Sequence, residues 1–522
     1  MSTRVRIRVK RRPLWGAAAL LSLAACSFTA GVSPQLTEPI EQKDFRRVPV
    51  VMIFLDELPL ATLMDAQGHI DPELFPNFAR LQRTSVWFRN TTAVSEFTFE
   101  ALPAMLTGRY PRDPDPVTES RSLFTLLGDA YKVRTNEDLG ALCHPRICRE
   151  PRRHSQRTFR EQFRAFAVGQ RGRDLSYFLQ LFEKSRKPRF YFLRLVMPHQ
   201  PWRYLPSGQR YQTSDVPGQI DIAGRGKAWV DNSWLVTQAY QRHLLQTQLV
   251  DRALGVTMRY LKRLDLFDRA LFVVTADQGI SFLPGLPKRQ LRAATAGQVA
   301  AVPFFVKLPG QQDGRITDAP LETVDLVPTV ADVLDLSVTW RGLDGVSGFS
   351  SKNIPPDRRR GVRGLRFDPS PREAFAAARM KYRLFSEAPR RQHLDPFRIG
   401  PGRSERLIGT RVGALGISET YGLPVVVRNL DAYARADADG EFFPSVVDGY
   451  IPDAVLGEPF TIAIGVDGRI AAVTRTFTEE GRVKFTALLP PRFFTRASHE
   501  IELFVVDKSD PALLFRLPIL PG

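Results

Sequence analysis

The stretch "VPVVMIFLDELPL", residues 48–60, decides the fold. Val50 to Leu55 is continuously apolar and rich in branched side chains, with no polar residue facing either side. A strand that reads this way is buried on both faces, as in a parallel sheet covered by helices. Two acids, Asp56 and Glu57, follow at once. The same pattern recurs along the chain. "RFYFLRLVMPHQPW" (189–202) is a strand ending in Pro-His, and "RALFVVTADQGISF" (269–282) is one ending in Asp-Gln-Gly. "AAVPFFVKLPG" (300–310) is a strand ending in Lys307. Helical patterns lie between them, including the long run 234–264 and the start of "PNFARLQRTSVWFRN" (76–90), which passes into a short strand. Strands alternating with helices predict an α/β fold, a doubly wound and mostly parallel sheet. In such sheets ligands bind at the carboxyl ends of the strands. Asp56, Glu57, His199, Asp277, Gln278 and Lys307 all stand at those ends in the sequence. Any one of them alone reads as a strand-end cap or a surface loop residue.

Composition shifts near residue 350. "SKNIPPDRRRGVRGLRFDPSPREA" (351–374) is rich in Pro and Arg and is expected to open a linker, 351–404. From 405 to 522 short alternating strands follow, with Asp467-Gly468 as a hairpin turn signal. This region is expected to be an all-β, sandwich-like domain. No chemistry is legible in it.

The chain has 522 residues and a formal net charge of +18. Such a balance favours anionic partners. The charge is mostly dispersed Arg, and no nucleic-acid motif accompanies it, so nucleic acid is not an expected partner. The N-terminus, "MSTRVRIRVKRRPLWGAAALLSLAACSFTAGVSP", has a basic segment followed by an apolar stretch from Leu14 to Ala25. That is short for a spanning helix and suits an export signal. Leu23-Ala24-Ala25-Cys26 resembles a bacterial lipoprotein signal, in which Cys26 is the lipidated residue. An uncleaved anchor helix is the competing reading. Residues 1–26 are therefore expected to be a signal or anchor, 27–47 a tether, and 48–350 the catalytic domain. The expected location is the extracytoplasmic face of a bacterial cell envelope, held to the membrane through the N-terminus. Cys143 and Cys148, an even pair in an exported chain, are expected to form a disulfide.

Residues 97–111, "FTFEALPAMLTGRYP", place a hydroxyl, Thr98, just before a helical run with Pro103 five residues on. Pro is tolerated in the first turn of a helix. Thr98 is thus expected at a helix N-terminus, where backbone N–H groups and the dipole favour anions. An ordinary N-cap is the alternative. Carboxylates from Asp56, Glu57 and Asp277, with the Gln278 amide oxygen, form a plausible ligand set for a hard cation. A metal beside Thr98 would activate its hydroxyl as a nucleophile. His199 would act as general acid for the leaving group or as a second anion contact, and Lys307 and Arg109 would neutralise a tetrahedral anion.

Six pieces in order resemble the sulfatase branch of the alkaline phosphatase superfamily, over roughly 48–350. They are "MIFLDELP", "FTFEALPAMLTGRYP", "LVMPHQPW", "VVTADQGISF", "PFFVKLPG" and "TVDLVPTVADVLDL". The resemblance implies Thr98 at the nucleophile position, metal-binding segments at Asp56 and Asp277, and an anion-binding Lys307. Hydrolytic sulfatases carry Cys or Ser there, matured to formylglycine, and Thr98 excludes that maturation. A Thr nucleophile is similar instead to the phosphoethanolamine and phosphoglycerol transferases of the superfamily. Those act at membranes through a phospho-Thr intermediate on one divalent metal. Gln278 stands where the family has His or Asn, and an amide oxygen suits Mn, Mg or Ca better than Zn. No multi-pass membrane segment precedes the catalytic part. The resemblance implies a metal-dependent phospho- or sulfo-ester hydrolase or transferase acting on a cell-envelope phospholipid, glycan or other anionic ester. The alternatives are a degenerate relative that binds such a polymer without turnover and a structural lipoprotein.

Overall fold

The computed structural model describes residues 47–111, 121–128, 130–135, 143, 146–148, 179–183, 187–212, 216–222, 226–350, 354, 360–362, 365–367, 371–385, 394–418, 422–452, 457–496 and 498–520. The expected signal, tether and lipidated Cys26 lie outside them. Among the described residues no helix is long and apolar enough to cross a membrane.

Seven strands make the main sheet: β1 (Val50–Asp56), β2 (Val86–Phe88), β3 (Lys132–Thr135), β4 (Arg189–Pro198), β5 (Leu271–Ala276), β6 (Phe304–Lys307) and β7 (Arg315–Thr317). Their order is β7-β2-β6-β5-β1-β4-β3. Strand β1 is central and pairs in parallel with β4 and β5. All seven of its residues are buried. Val51, Ile53 and Leu55 join one core, while Val50, Met52 and Phe54 join the other. The continuous apolar run is therefore the signature of a strand covered on both faces.

The first face is covered by α3 (Ser233–Arg263), through Val236, Tyr240, Leu244 and Leu254. Asn232 caps that helix, its side chain accepting from Trp234 N (3.1 Å) and Leu235 N (3.2 Å). The short α1 (Pro76–Gln82) packs beside it. The second face is covered by α2 (Thr98–Thr107) and α4 (Leu326–Val333).

Strand β6 departs from the expected direction. It runs antiparallel to both neighbours, with Phe272 opposite Lys307 and Thr275 opposite Phe304. Its carboxyl end therefore lies at the amino end of β5.

The stretch 351–404, expected to be a linker with a helical pattern in "AAARMKYRLFSE" (376–387), carries α5 (Arg372–Phe385). Ala374, Ala377, Ala378 and Phe385 are buried in the first α/β core. Lys381 Nζ donates to the carbonyls of Thr62 (2.8 Å) and Met64 (2.5 Å). The helix is part of the α/β body, because its small-residue face lets it pack close.

Beyond it two five-stranded sheets stack around a common core. One contains β11 (Thr461–Val466) and β12 (Arg469–Arg475), preceded by β8 (Gly416–Ser418), and the later β15 (Ile501–Val506) and β16 (Leu513–Leu517). The other contains β9 (Val425–Val427), β10 (Val446–Ile451), β13 (Phe477–Glu479), β14 (Arg482–Leu488) and β17 (Ile519–Leu520). The β11–β12 turn is Asp467-Gly468, both at positive φ (50° and 74°), as a tight hairpin requires.

Candidate active site

Parallel pairing brings three strand ends to one place. At the end of β1 a register shift between Leu55 and Asp56 sets Asp56 opposite Pro198 of β4, and Leu55 is opposite Ala276 of β5. Asp56-Glu57, His199 and Asp277-Gln278 thus become neighbours. The His199 N–H donates to Asp56 O (3.1 Å) and the Asp277 N–H to Leu55 O (3.2 Å). Glu57 sits at φ 64°, the left-handed region, an uncommon conformation for a non-Gly residue. This turn directs both adjacent acids into one cluster rather than to opposite sides. The Glu57 N–H donates to Asp277 Oδ1 (3.2 Å).

Thr98 is the first helical residue of α2, after the extended Phe97, and is 3 % exposed. Its hydroxyl does not cap the helix. It accepts from Gln278 Nε2 (3.1 Å) and lies beside Asp277, where it favours the charged carboxylate. Pro103 is inside the helix, beyond the first turn, so the expectation for that residue is corrected. The turn after it is closed in part by Thr107 Oγ1 donating to Pro103 O (2.8 Å).

Four cationic or basic groups face the acids. Arg194, in the body of β4, donates from Nη2 to Asp56 Oδ2 (2.9 Å). Arg289 Nε donates to Glu57 Oε1 (2.6 Å). Arg289 Nη2 also reaches His199 Nε2, whose ring partner Nδ1 donates to Gln200 O. Lys288 Nζ donates to Gln200 Oε1 and lies over the rings of Trp229 (5.3 Å) and Trp202 (5.8 Å). Arg194, Lys288 and Arg289 were not found from the sequence. Arg194 interrupts an otherwise apolar strand, and that was its only signal. Lys288 and Arg289 sit in a loop ten residues past Gln278 and carried none.

Burial pushes the Asp277 carboxyl up, and nearby Asp56 pushes it further, to about 8, against the opposing pull of Arg194. Burial also works against ionised Glu57, but Arg289, His199 and Lys288 outweigh it and hold that carboxyl well below its usual range. Burial lowers the Lys288 ammonium to about 7, with Glu57 opposing.

Two expected anion ligands are elsewhere. Lys307 ends the antiparallel β6, at the opposite end of the sheet from the site, where Nζ donates to Leu308 O (3.1 Å) and Asp268 O (3.3 Å). Arg109 follows the left-handed Gly108 past the C-terminal end of α2, about 14 Å along the helix from Thr98. Its guanidinium lies against Gly342. Lys288 and Arg289 are instead the cations found beside Glu57, His199 and Gln200. Cys143 and Cys148 are joined in the expected disulfide.

The site's fit to a metal rests on its unsatisfied oxygens. Asp56 Oδ1, Glu57 Oε2 and Gln278 Oε1 are buried and accept no hydrogen bond. Asp277 Oδ2 likewise has no bond of ordinary geometry. Four buried acceptor oxygens without donors are unusual in a folded protein and match the donor chemistry of a hard divalent cation. Among the described residues no three His, Cys, Asp or Glu side chains already converge as a ligand set. Arg194 and Arg289 hold the outer oxygens of Asp56 and Glu57. The donor set fits in kind.

An endo-4-O-sulfatase from Bacteroides thetaiotaomicron is 24% identical over 155 residues, 29% of this chain. The aligned stretch spans only 30% of that relative's length. Among solved structures, the phosphonate monoester hydrolase of Silicibacter pomeroyi has a TM-score of 0.42 at 17% identity, over 60% of this chain and 78% of that one. The phosphonate monoester hydrolase of Agrobacterium radiobacter has a TM-score of 0.43 at 16% identity, over 58% and 76%. The Sulfatase family model matches residues 49–336, more than half of the chain and all the segments that build the site, and the chain belongs to that family, within the alkaline phosphatase superfamily.

Proposed function

We propose that the chain is a metal-dependent hydrolase or transferase of phosphate or sulfate esters, with the Thr98 hydroxyl as nucleophile. One observation carries the reading. Thr98 Oγ1 lies at a helix N-terminus, hydrogen-bonded by Gln278, beside Asp277, with four donor-free oxygens behind it. Asp56, Glu57, Asp277 and Gln278 would hold the cation, one of Mn, Mg, Ca or Zn. When bound it supplies positive charge that acidifies the hydroxyl and neutralises the ester anion.

The chain's own groups account for the remaining roles. The N–H groups opening α2, with Arg289 and Lys288, bind the anionic oxygens. Thr98 gives its proton to the ionised carboxylate of Asp277 beside it. Oγ1 then attacks phosphorus or sulfur, forming a Thr–O bond to it while the bond to the ester's leaving oxygen breaks. Lys288, near neutral in its acidity, protonates that oxygen. His199, whose Nε2 accepts from Arg289, orients the guanidinium rather than supplying the proton. Water, or an acceptor hydroxyl in transfer, then gives its proton to Lys288 and attacks the same centre, breaking its bond to Thr98 Oγ1, which takes its proton back from Asp277. A phosphorus centre is preferred, because a Thr nucleophile needs only cation activation. The N-terminal sequence supports an exported, membrane-held enzyme acting on envelope esters.

A second reading has its own support. Arg194 and Arg289 already neutralise Asp56 and Glu57, an arrangement that suits a protein binding an anionic polymer without turnover.

The deciding experiment compares the purified chain with Thr98→Ala on p-nitrophenyl phosphate and p-nitrophenyl sulfate, with each cation added or chelated. Turnover that needs a cation and falls at least about a hundredfold in Thr98→Ala is expected. Equal background in both proteins would overturn the enzyme reading and leave the binding one.

A further inference from the structure

A few residues past His199 the chain leaves the α/β body. Residues 203–211 form a small hairpin, with the Tyr211 N–H donating to Arg203 O (2.9 Å) and the Leu205 N–H to Gln209 O (2.9 Å). The β-sandwich grips its tip. Gln209 Nε2 donates to the carbonyls of Ala438 (2.8 Å) and Gly440 (2.7 Å). The Arg210 N–H donates to Glu441 O (2.9 Å), and the Phe443 N–H donates back to Arg210 O (2.8 Å). Gln212 Nε2 donates to Val446 O (2.5 Å). Leu205 and Tyr211 are buried in the sandwich core. At the inner end, Gln246 of α3 accepts from the Arg203 N–H (3.0 Å). It also donates to the carbonyls of His199 (3.0 Å) and Pro198 (3.2 Å). The loop 198–203 is therefore strung between two anchors, one in each part of the molecule.

We propose that the C-terminal β-sandwich is a positioning element of the site. By holding the 203–212 hairpin it fixes His199 and Gln200, and through them Arg289 and Lys288, which those two side chains contact. The kinetic consequence rests on the ester-cleaving reading above; the structural one does not. Each loop residue left free keeps backbone entropy that must be lost when the anion is gripped. The bonds from the sandwich remove that freedom in advance, which is how remote contacts raise a rate.

The test uses the full chain with Gln209→Ala/Gln212→Ala. Trp234→Phe is the control, since it removes a hydrogen bond across the same interface, Trp234 Nε1 to Thr474 Oγ1 (3.2 Å), away from the hairpin. Gln209→Leu alone serves where the double variant folds poorly. Amide hydrogen exchange over 198–204 and p-nitrophenyl phosphate kinetics are read together. Exchange in that segment should quicken by about tenfold in the double variant and not in the control. The turnover number should fall by about tenfold with KM changed by less than about twofold. Unaltered protection of 198–204, equal loosening in the control, or faster exchange with an unaltered turnover number would each overturn the proposal. A wild-type chain without turnover would sink the ester-cleaving reading instead, and exchange alone would then decide this one.

Discussion

Glu57 shows most plainly what single residues do here. Its carboxylate is fully buried, yet stays ionised because Arg289 lies 2.6 Å away, with His199 and Lys288 behind. Removing one partner of a buried pair leaves an uncompensated charge and costs about 3 kcal/mol or more. Arg289→Leu should therefore lower unfolding free energy by that amount at pH 7, measured in urea. The sign of the pH dependence follows. In the wild type the depressed Glu57 pKa adds stability above the ordinary carboxylate range, and that stability is lost as pH falls below it. In the variant, burial raises the same group instead, so protonation relieves the cost. The gap between the two proteins should narrow from pH 7 to pH 4. A constant gap would mean that Glu57 is not the group responsible.

At the scale of elements, one cap comes from across the fold. Helix α1 begins at Pro76, and Phe75 before it offers no side-chain cap. Asp251 of α3 supplies it, accepting from Phe78 N (2.8 Å) and Asn77 N (2.9 Å) through Oδ1, and from Asn77 Nδ2 (2.7 Å) through Oδ2. Asp251→Ala leaves buried donors unmade and should cost about 2–3 kcal/mol, read from the denaturation midpoint. Asp251→Asn, which keeps an acceptor, should cost less. The helical pattern and its Pro76 start were legible in the sequence, but the group that caps the helix was not. The capping group is 174 residues away, and no local pattern encodes it.

The whole molecule has two bodies that share side chains. Helix α3 serves both: Leu244 packs in the α/β core, and Leu245, fully buried, packs in the sandwich core. Gln238 Nε2 reaches Thr474 Oγ1 (3.2 Å) and Arg242 Nη2 reaches Thr486 Oγ1 (3.3 Å), both on the sandwich. Such sharing predicts one cooperative thermal transition for the full chain. Leu245→Ala should cost about 2–5 kcal/mol, mostly at the sandwich, and split the calorimetric peak in two. A single peak shifted as a unit would show that the coupling lies in the polar contacts instead.

Local pattern determined much of this protein. Continuous apolar runs made β1, β4 and β5 legible, the Asp467-Gly468 turn marked a hairpin, and strand-end acids marked where a site would form. The ordered segments around Thr98, Asp56 and Asp277 carried the family resemblance, which the match over 49–336 bears out. Only the tertiary structure decided the direction of β6, which sends Lys307 away from the site. It also decided which cations face the acids, since Arg194, Lys288 and Arg289 converge only once β4 and the 279–289 loop are packed. The division has a physical basis. Periodicity and turn chemistry act over a few residues, whereas the neutralisation of a buried charge depends on whichever group the fold brings within a few ångströms.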